Sequence, residues 1–161
     1  FLIDIFNEIH KKNLNSILVL VGDGDLENKI KEKVNRLKLE NNVLFLGVRE
    51  DIPDLLCAFD FFLFPSFYEG MPNTVIEAQT TGLPCLISDS ITQEAKITDK
   101  VNYASLNETA LIWSNKCLNL LSQNSFNRKE YSKTMKNKGY DMSDCVKKFV
   151  ELVFNERNNT K

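Results

Sequence analysis

A single stretch of this chain combines two carboxylates with a proline-led helix start: Pro65-Ser66-Phe67-Tyr68-Glu69-Gly70-Met71-Pro72-Asn73-Thr74-Val75-Ile76-Glu77-Ala78. Pro72 suits the first turn of a helix, where a missing N–H costs nothing because the first N–H groups have no intrahelical acceptor. The N–H groups of Asn73, Thr74 and Val75 then point out of the helix start. Such an end carries the positive pole of the helix dipole and suits a diphosphate. Glu69 and Glu77 stand eight positions apart. Glu77 lies inside the helix and Glu69 in the loop ahead, so both can address one ligand from different sides of the helix start. A carboxylate accepts paired hydrogen bonds, and the adjacent hydroxyls of a sugar supply such pairs. Taken singly, the plain readings are a solvated helix residue for Glu77 and a surface loop residue for Glu69.

Three other segments follow apolar runs in the same way. Gly22-Asp23-Gly24-Asp25 reads as a tight turn with Asp25 as the N-cap of the next helix. Gly47-Val48-Arg49 is a glycine turn that lets backbone approach a flat ligand such as a base. Arg49 either contacts phosphate or pairs with Glu50 or Asp51. Ser88-Asp89-Ser90-Ile91-Thr92-Gln93-Glu94 is polar and turn-like, and Gly82-Leu83-Pro84 is a helix C-cap with a proline stop.

Short apolar runs rich in β-branched and aromatic residues predict buried strands at 17–21, 43–46, 61–64 and 85–88. Between them, apolar residues recur at helical spacing over 1–12, 25–39, 52–59 and 73–81. In the first of these, Leu2, Ile5, Phe6 and Ile9 share a face. After Asp89 the strand signal stops, and helices are expected at 108–122, 127–138 and 143–157. Strands too apolar for one wet face, alternating with helices, imply an α/β domain: a three-layer, Rossmann-like arrangement of a parallel sheet between helices, with right-handed crossovers. Residues 1–161 read as one such domain with a helical C-terminal extension over about 108–157. A doubly wound domain usually begins with a strand, whereas this chain opens with a helix. The preferred reading places the first strand and its loop upstream of Phe1; a linker helix is the other.

Composition narrows the partners. The formal net charge of −2 provides no global basic field for nucleic acid. The lysines of 29–38 alternate with glutamate and read as a solvated helix face. The four cysteines are widely spaced, and the chain has a single histidine, His10, on the opening helix. That pattern does not suit zinc and reads as buried thiols, with His10 in a packing role. No apolar run approaches the roughly 20 residues of a membrane span.

PSFYEGMPNTVIEAQTTGLPCLIS places Glu, seven residues and Glu between a strand ending in Pro-Ser and a helix ending in Gly-x-Pro. With VGDGDLENKI, VLFLGVREDIPDLL and AFDFFLFPS ahead of it in order, the chain resembles the C-terminal, donor-binding domain of retaining family 4 glycosyltransferases. Those enzymes have the two-domain GT-B fold. The likeness covers roughly residues 14–98. EGMPN, SDSITQE, LIWSNK and KGYDMS look most like bacterial capsular and exopolysaccharide glycosyltransferases.

The resemblance implies a nucleotide-sugar donor, UDP-linked, in a cleft facing an N-terminal acceptor domain absent from this chain. It implies transfer with retention to a glycan or lipid-linked acceptor. Carried over by motif position, Glu69 would contact donor-sugar hydroxyls near the reacting centre, and Glu77 the ribose hydroxyls. Backbone around Gly70, Met71, Pro72, Asn73 and Thr74 would meet phosphate, and Gly47, Val48 and Arg49 would border the base. No cofactor and no metal are expected, because helix dipole and basic side chains stabilise the leaving diphosphate. The cellular place implied is the cytoplasm, with peripheral association at the inner face of the membrane.

The family's phosphate-clamping Arg and Lys lie ahead of anything present here. Rival readings are a non-catalytic nucleotide-sugar-binding module or half of a sugar-nucleotide epimerase; a receiver-like domain lacks its Asp cluster. A transfer assay on the isolated 161-residue chain is expected to show weak nucleotide binding at most and no turnover.

Overall fold

The structure is a computed structural model and describes residues 1–123 and 128–158. Five short strands carry the apolar runs: β1 (Leu18–Leu20), β2 (Val43–Phe45), β3 (Phe62–Phe64), β4 (Cys85–Ser88) and β5 (Val101–Ala104). Four helices precede or join them: α1 (Leu2–His10), α2 (Glu27–Arg36), α3 (Ile52–Ala58) and α4 (Asn73–Thr80). A 3-10 turn at Gln93–Ala95 follows β4, and α5 (Ala110–Gln123), α6 (Lys129–Asn137) and α7 (Met142–Asn158) form the helical extension. The expected start of α6 at Asn127 falls outside the described residues.

All pairings are parallel. Leu18 lies opposite Val43, Phe62 opposite Cys85, and Cys85 opposite Val101. Where one sheet is expected from the sequence, the ladders form a two-stranded sheet, β1-β2, and a three-stranded sheet, β3-β4-β5. That is the pairing left by the doubly wound order 3-2-1-4-5-6 when its central strand is not counted. β5 corrects the expectation that strands end at Asp89. Its four residues, with Asn102 in the middle, carry too little local signal, and pairing with β4 makes the strand.

β4 shows why helices must lie on both faces. Cys85 and Ile87 point into one cluster with Leu56, Val75, Ala78, Leu83 and Val101. Leu86, between them, points into another with Ile5, Ile9, Trp113 and Cys117. Alternate residues of a strand face opposite sides, so a strand apolar throughout needs two apolar layers. α3 and α4 cover the first face, and α1 with α5 covers the second. Ile3, Phe6, Val34, Leu39 and Val43 form a third cluster, under β1 and β2. Ile3 therefore joins the buried face of α1, and Leu2, expected there, is half-buried. Cys85 and Cys117 are buried as expected, and burial pushes the Cys117 thiol up to about 12. Cys57 and Cys145 are exposed, against expectation. Cys57 lies on α3 and Cys145 on α7, where the Cys145 thiol donates to Gly139 O at 3.1 Å.

Helix α4 is tied to the rest of the domain at its middle and its end. Gln79, with no exposed surface, donates from Nε2 to the carbonyls of Val75 (3.2 Å) and Ala95 (2.9 Å). Its Oε1 accepts from the N–H groups of Ile97 (3.0 Å) and Thr98 (2.8 Å) and from the Thr98 hydroxyl (3.1 Å). The helix ends in a Schellman turn: the Gly82 N–H donates to Gln79 O, and the Leu83 N–H to Ala78 O. Gly82 sits at φ 69°, and a Cβ there would come within 2.9 Å of the Tyr131 ring. Arg128, at the start of α6, donates to the carbonyls of Leu56, Cys57, Phe59 and Thr81, closing the ends of α3 and α4 with one guanidinium.

Among the described residues, no helix is long and apolar enough to cross a membrane. Replacing Gln79 by Leu strands the buried donors on Ile97 and Thr98, and each orphaned group costs about 1–3 kcal/mol. Urea unfolding of Gln79→Leu is expected to show a stability loss of roughly 2–4 kcal/mol.

Candidate functional site

In parallel sheets, the loops after the strands' carboxyl ends gather on one edge, where ligands of such folds bind. Residues 22–25 follow β1, 47–49 follow β2, 65–71 follow β3, and 89–92 follow β4. Two hydrogen bonds tie these loops in pairs: the Gly22 N–H donates to Gly47 O at 2.7 Å, and the Ser90 hydroxyl donates to Ser66 O at 3.0 Å.

Gly22 (φ 113°) and Gly47 (φ 62°) hold left-handed conformations that side chains resist. Beyond its chain neighbours, a Cβ on Gly47 would meet no atom of the described residues within 4 Å, which leaves room beside this backbone. Val48, beside it, is 71% exposed. Arg49 grips Asp51 with two hydrogen bonds, Nε to Oδ1 at 2.8 Å and Nη2 to Oδ2 at 2.6 Å. Of the options left by the sequence, the structure selects the pairing with Asp51. Asp25 makes no cap: Leu26 stands at the N-cap of α2, without a side-chain hydrogen bond.

At the start of α4, Pro72 is the N-cap residue and is buried, with φ −76° and ψ 104°. Its carbonyl accepts from the N–H groups of Val75 (3.0 Å) and Ile76 (3.3 Å). The Val75 N–H is thus engaged within the first turn, which corrects the expectation that it points outward unpaired. The N–H groups of Met71, Asn73 and Thr74 have no partner among the described residues, and all three residues are exposed. Ahead of them the loop presents Phe67 and Tyr68, 80% and 83% exposed, and then the half-buried Glu69. Glu69 Oε1 accepts the Ser66 hydroxyl at 2.9 Å. Glu77 lies on α4 beyond the first turn, exposed, its carboxylate without a partner among the described residues.

β3, its loop and α4 therefore bring Glu69, Gly70, Met71, Pro72, Asn73, Thr74 and Glu77 into one unit, and Gly47, Val48 and Arg49 belong to the β1-β2 edge. The sequence reading missed the serine hydroxyls at 66, 88 and 90. Their only local signal is that each stands at or just after a strand end.

A parallel α/β domain with a helix start opening on this edge is the fold of the C-terminal domain of GT-B glycosyltransferases. The chain belongs to the family described as Glycosyl transferases group 1, whose profile matches residues 1–123. It is 37% identical over 147 residues to EpsF of Bacillus subtilis (strain 168), which carries a glycosyltransferase name; the match covers 91% of this chain and 38% of that protein. It is 35% identical over 124 residues to the Escherichia coli UDP-Gal:alpha-D-GlcNAc-diphosphoundecaprenol alpha-1,3-galactosyltransferase, covering 71% of this chain and 32% of the enzyme. Among solved structures, it is similar to the pneumococcal O-GlcNAc transferase GtfA in complex with UDP and GlcNAc. There the TM-score is 0.80 at 18% identity, over 96% of this chain and 32% of that one. The chain thus spans about a third of the length of these proteins.

The Arg49 hydrogen bonds hold the Asp51 carboxyl below the usual carboxylate range. A depressed folded-state pKa contributes stability above the unfolded value, and that contribution is lost as pH falls through the folded value. A carbon-detected NMR titration is expected to place the Asp51 midpoint below that of a free aspartate, and Arg49→Gln to return it upward.

Proposed function

We propose that this chain is the donor-binding half of a retaining glycosyltransferase. In this reading it holds a UDP-linked hexose or N-acetylhexosamine at the edge formed by β3, its loop and α4. One observation carries the reading: at the exposed residues Met71, Asn73 and Thr74 three N–H groups have no partner among the described residues, and the same loop carries a half-buried carboxylate, Glu69, that accepts a hydrogen bond from the Ser66 hydroxyl. The N–H groups suit the diphosphate, because a helix start stabilises negative charge without a proton or a metal. As the bond from the sugar to the diphosphate breaks, charge grows on the leaving oxygen, and fixed donors aimed there lower the barrier.

Glu69, three positions ahead of Pro72, faces the sugar hydroxyls. Glu77, whose carboxylate has no partner among the described residues, takes the ribose hydroxyls, and Gly47–Arg49 borders the base. The acceptor, a glycan or a lipid-linked glycan, is held by a separate N-terminal domain. The chain's extent, about a third of its relatives' length, is consistent with that division. The UDP-sugar in the name of the Escherichia coli relative and the UDP bound in the pneumococcal structure support the choice of donor. The name "Vi polysaccharide biosynthesis protein" of a Salmonella typhi relative supports a role in capsule or exopolysaccharide synthesis.

The test uses the full-length enzyme with a panel of nucleotide sugars. Glu69→Ala is expected to lower transfer by on the order of 100-fold or more, and unaltered transfer would remove Glu69 from the site. Glu77→Ala is expected to weaken UDP binding by about 10- to 100-fold, the equivalent of one or two charged hydrogen bonds. Transfer is expected to persist in EDTA; its loss there would contradict a diphosphate held by helix start and basic groups.

A further inference from the structure

Glu69 sits on a loop whose outer residues, Phe67 and Tyr68, are almost fully exposed. Packing therefore does little to hold the carboxylate still. What holds it is a run of hydroxyls beginning inside the domain. Ser88 is the last residue of β4, the strand buried on both faces, and has no exposed surface. Its hydroxyl is hydrogen-bonded to the Ser90 hydroxyl, and its oxygen also accepts the Ser90 N–H at 3.1 Å. The Ser90 hydroxyl donates to the Ser66 carbonyl at 3.0 Å, and the Ser66 hydroxyl reaches Glu69 Oε1 at 2.9 Å.

Each hydroxyl has one proton to give. Ser90 spends its proton on the Ser66 carbonyl, so the proton between Ser88 and Ser90 belongs to Ser88. The direction of the inner links is thereby set, from β4 outward to the Ser66 carbonyl, and the Ser66 hydroxyl, with Tyr68 O at 3.3 Å, gives its proton to the nearer, charged acceptor, Glu69 Oε1. The Asp89 N–H, between the two serines, donates to Ala104 O at 2.9 Å and fixes this corner to β5 as well.

We infer that Ser88 and Ser90 are positioning residues for Glu69: they pin the Ser66 backbone and, through the Ser66 hydroxyl, aim the carboxylate at the donor sugar. The inference rests on the reading of Glu69 as the sugar-facing carboxylate. In that reading the diphosphate and the ribose are met by other groups, the N–H groups of Met71, Asn73 and Thr74 and the Glu77 carboxylate. Loss of the run therefore disturbs the reacting centre while leaving the donor's grip in place. A displacement of about 1 Å at a reacting centre costs as much as 100-fold in rate.

The experiment measures donor kinetics and UDP affinity on the full-length enzyme. Ser90 is exposed, so Ser90→Ala threatens the fold little, and a thermal midpoint checks this. Ser90→Ala is expected to lower kcat by about 10- to 100-fold with donor KM and UDP affinity near those of the parent. Ser90→Thr, which keeps the hydroxyl, is expected to restore most of the rate. Ser66→Ala, which removes the last link, is expected to reproduce the Ser90→Ala defect, and the double variant to be no worse than either single one.

If Ser90→Ala leaves kcat unchanged while Glu69→Ala abolishes transfer, the positioning role is overturned and the reading of Glu69 stands. Equal loss of UDP affinity and rate in Ser90→Ala, with a lowered thermal midpoint, also overturns it, because that is the signature of a structural brace. If Glu69→Ala itself transfers normally, the reading of the site fails and the inference falls with it.

Discussion

The five hydrogen bonds of Gln79 hold the one helix that the site depends on. Two of them tie Gln79 to Ile97 and Thr98 through backbone N–H groups, so α4 is locked to the chain between β4 and β5 and not only to its own neighbours. Its far end is closed by the Schellman turn at Gly82 and by Arg128. A helix satisfied at its middle and its end, and open at its start, has its remaining hydrogen-bonding capacity concentrated at one place. That place is the edge where the strand-end loops gather. Rigid attachment matters because unpaired N–H groups stabilise an anion most when they need not reorganise to meet it.

The electrostatics of this edge are those of dipoles more than of charged side chains. Residues 65–77 contain no lysine or arginine and two glutamates, within a chain of formal net charge −2. Arg49, the basic residue of the neighbouring loop, is committed to Asp51. What this stretch can offer an anion is therefore uncharged donors, backbone N–H groups among them, and its carboxylates suit hydroxyls better than phosphate. Glu69 lies in the loop ahead of α4 and Glu77 past its first turn.

The alternation of apolar runs and amphipathic segments was sufficient to place β1 to β4 and all the helices, because burial on both faces demands continuous apolar strands and helical burial demands a regular spacing. The reading was weakest where tertiary pairing replaces local pattern. β5 is four residues long and mixes Val101 and Ala104 with Asn102, so only its ladder with β4 identifies it. Asp25 looked like a cap by residue type, yet the chain bends into α2 one residue later, at Leu26. The outward N–H of Val75 was misjudged for a related reason: with Pro72 at the N-cap, its carbonyl captures the donor three residues on.

By itself the sequence determined the class of fold, the strand-loop-helix unit, and the residue types that this unit displays. Pro72 suits a helix start, Gly82 takes a positive φ without strain, and one glutamate stands ahead of Pro72 and one within the helix between them. Only the tertiary structure decided what each polar group is bonded to. The partners of Arg128 lie some 47 to 72 positions away, and the Ser90 hydroxyl reaches back 24 positions to Ser66. Hydrogen bonds of that span depend on how strands and helices come to lie side by side, and no local pattern of residues records it.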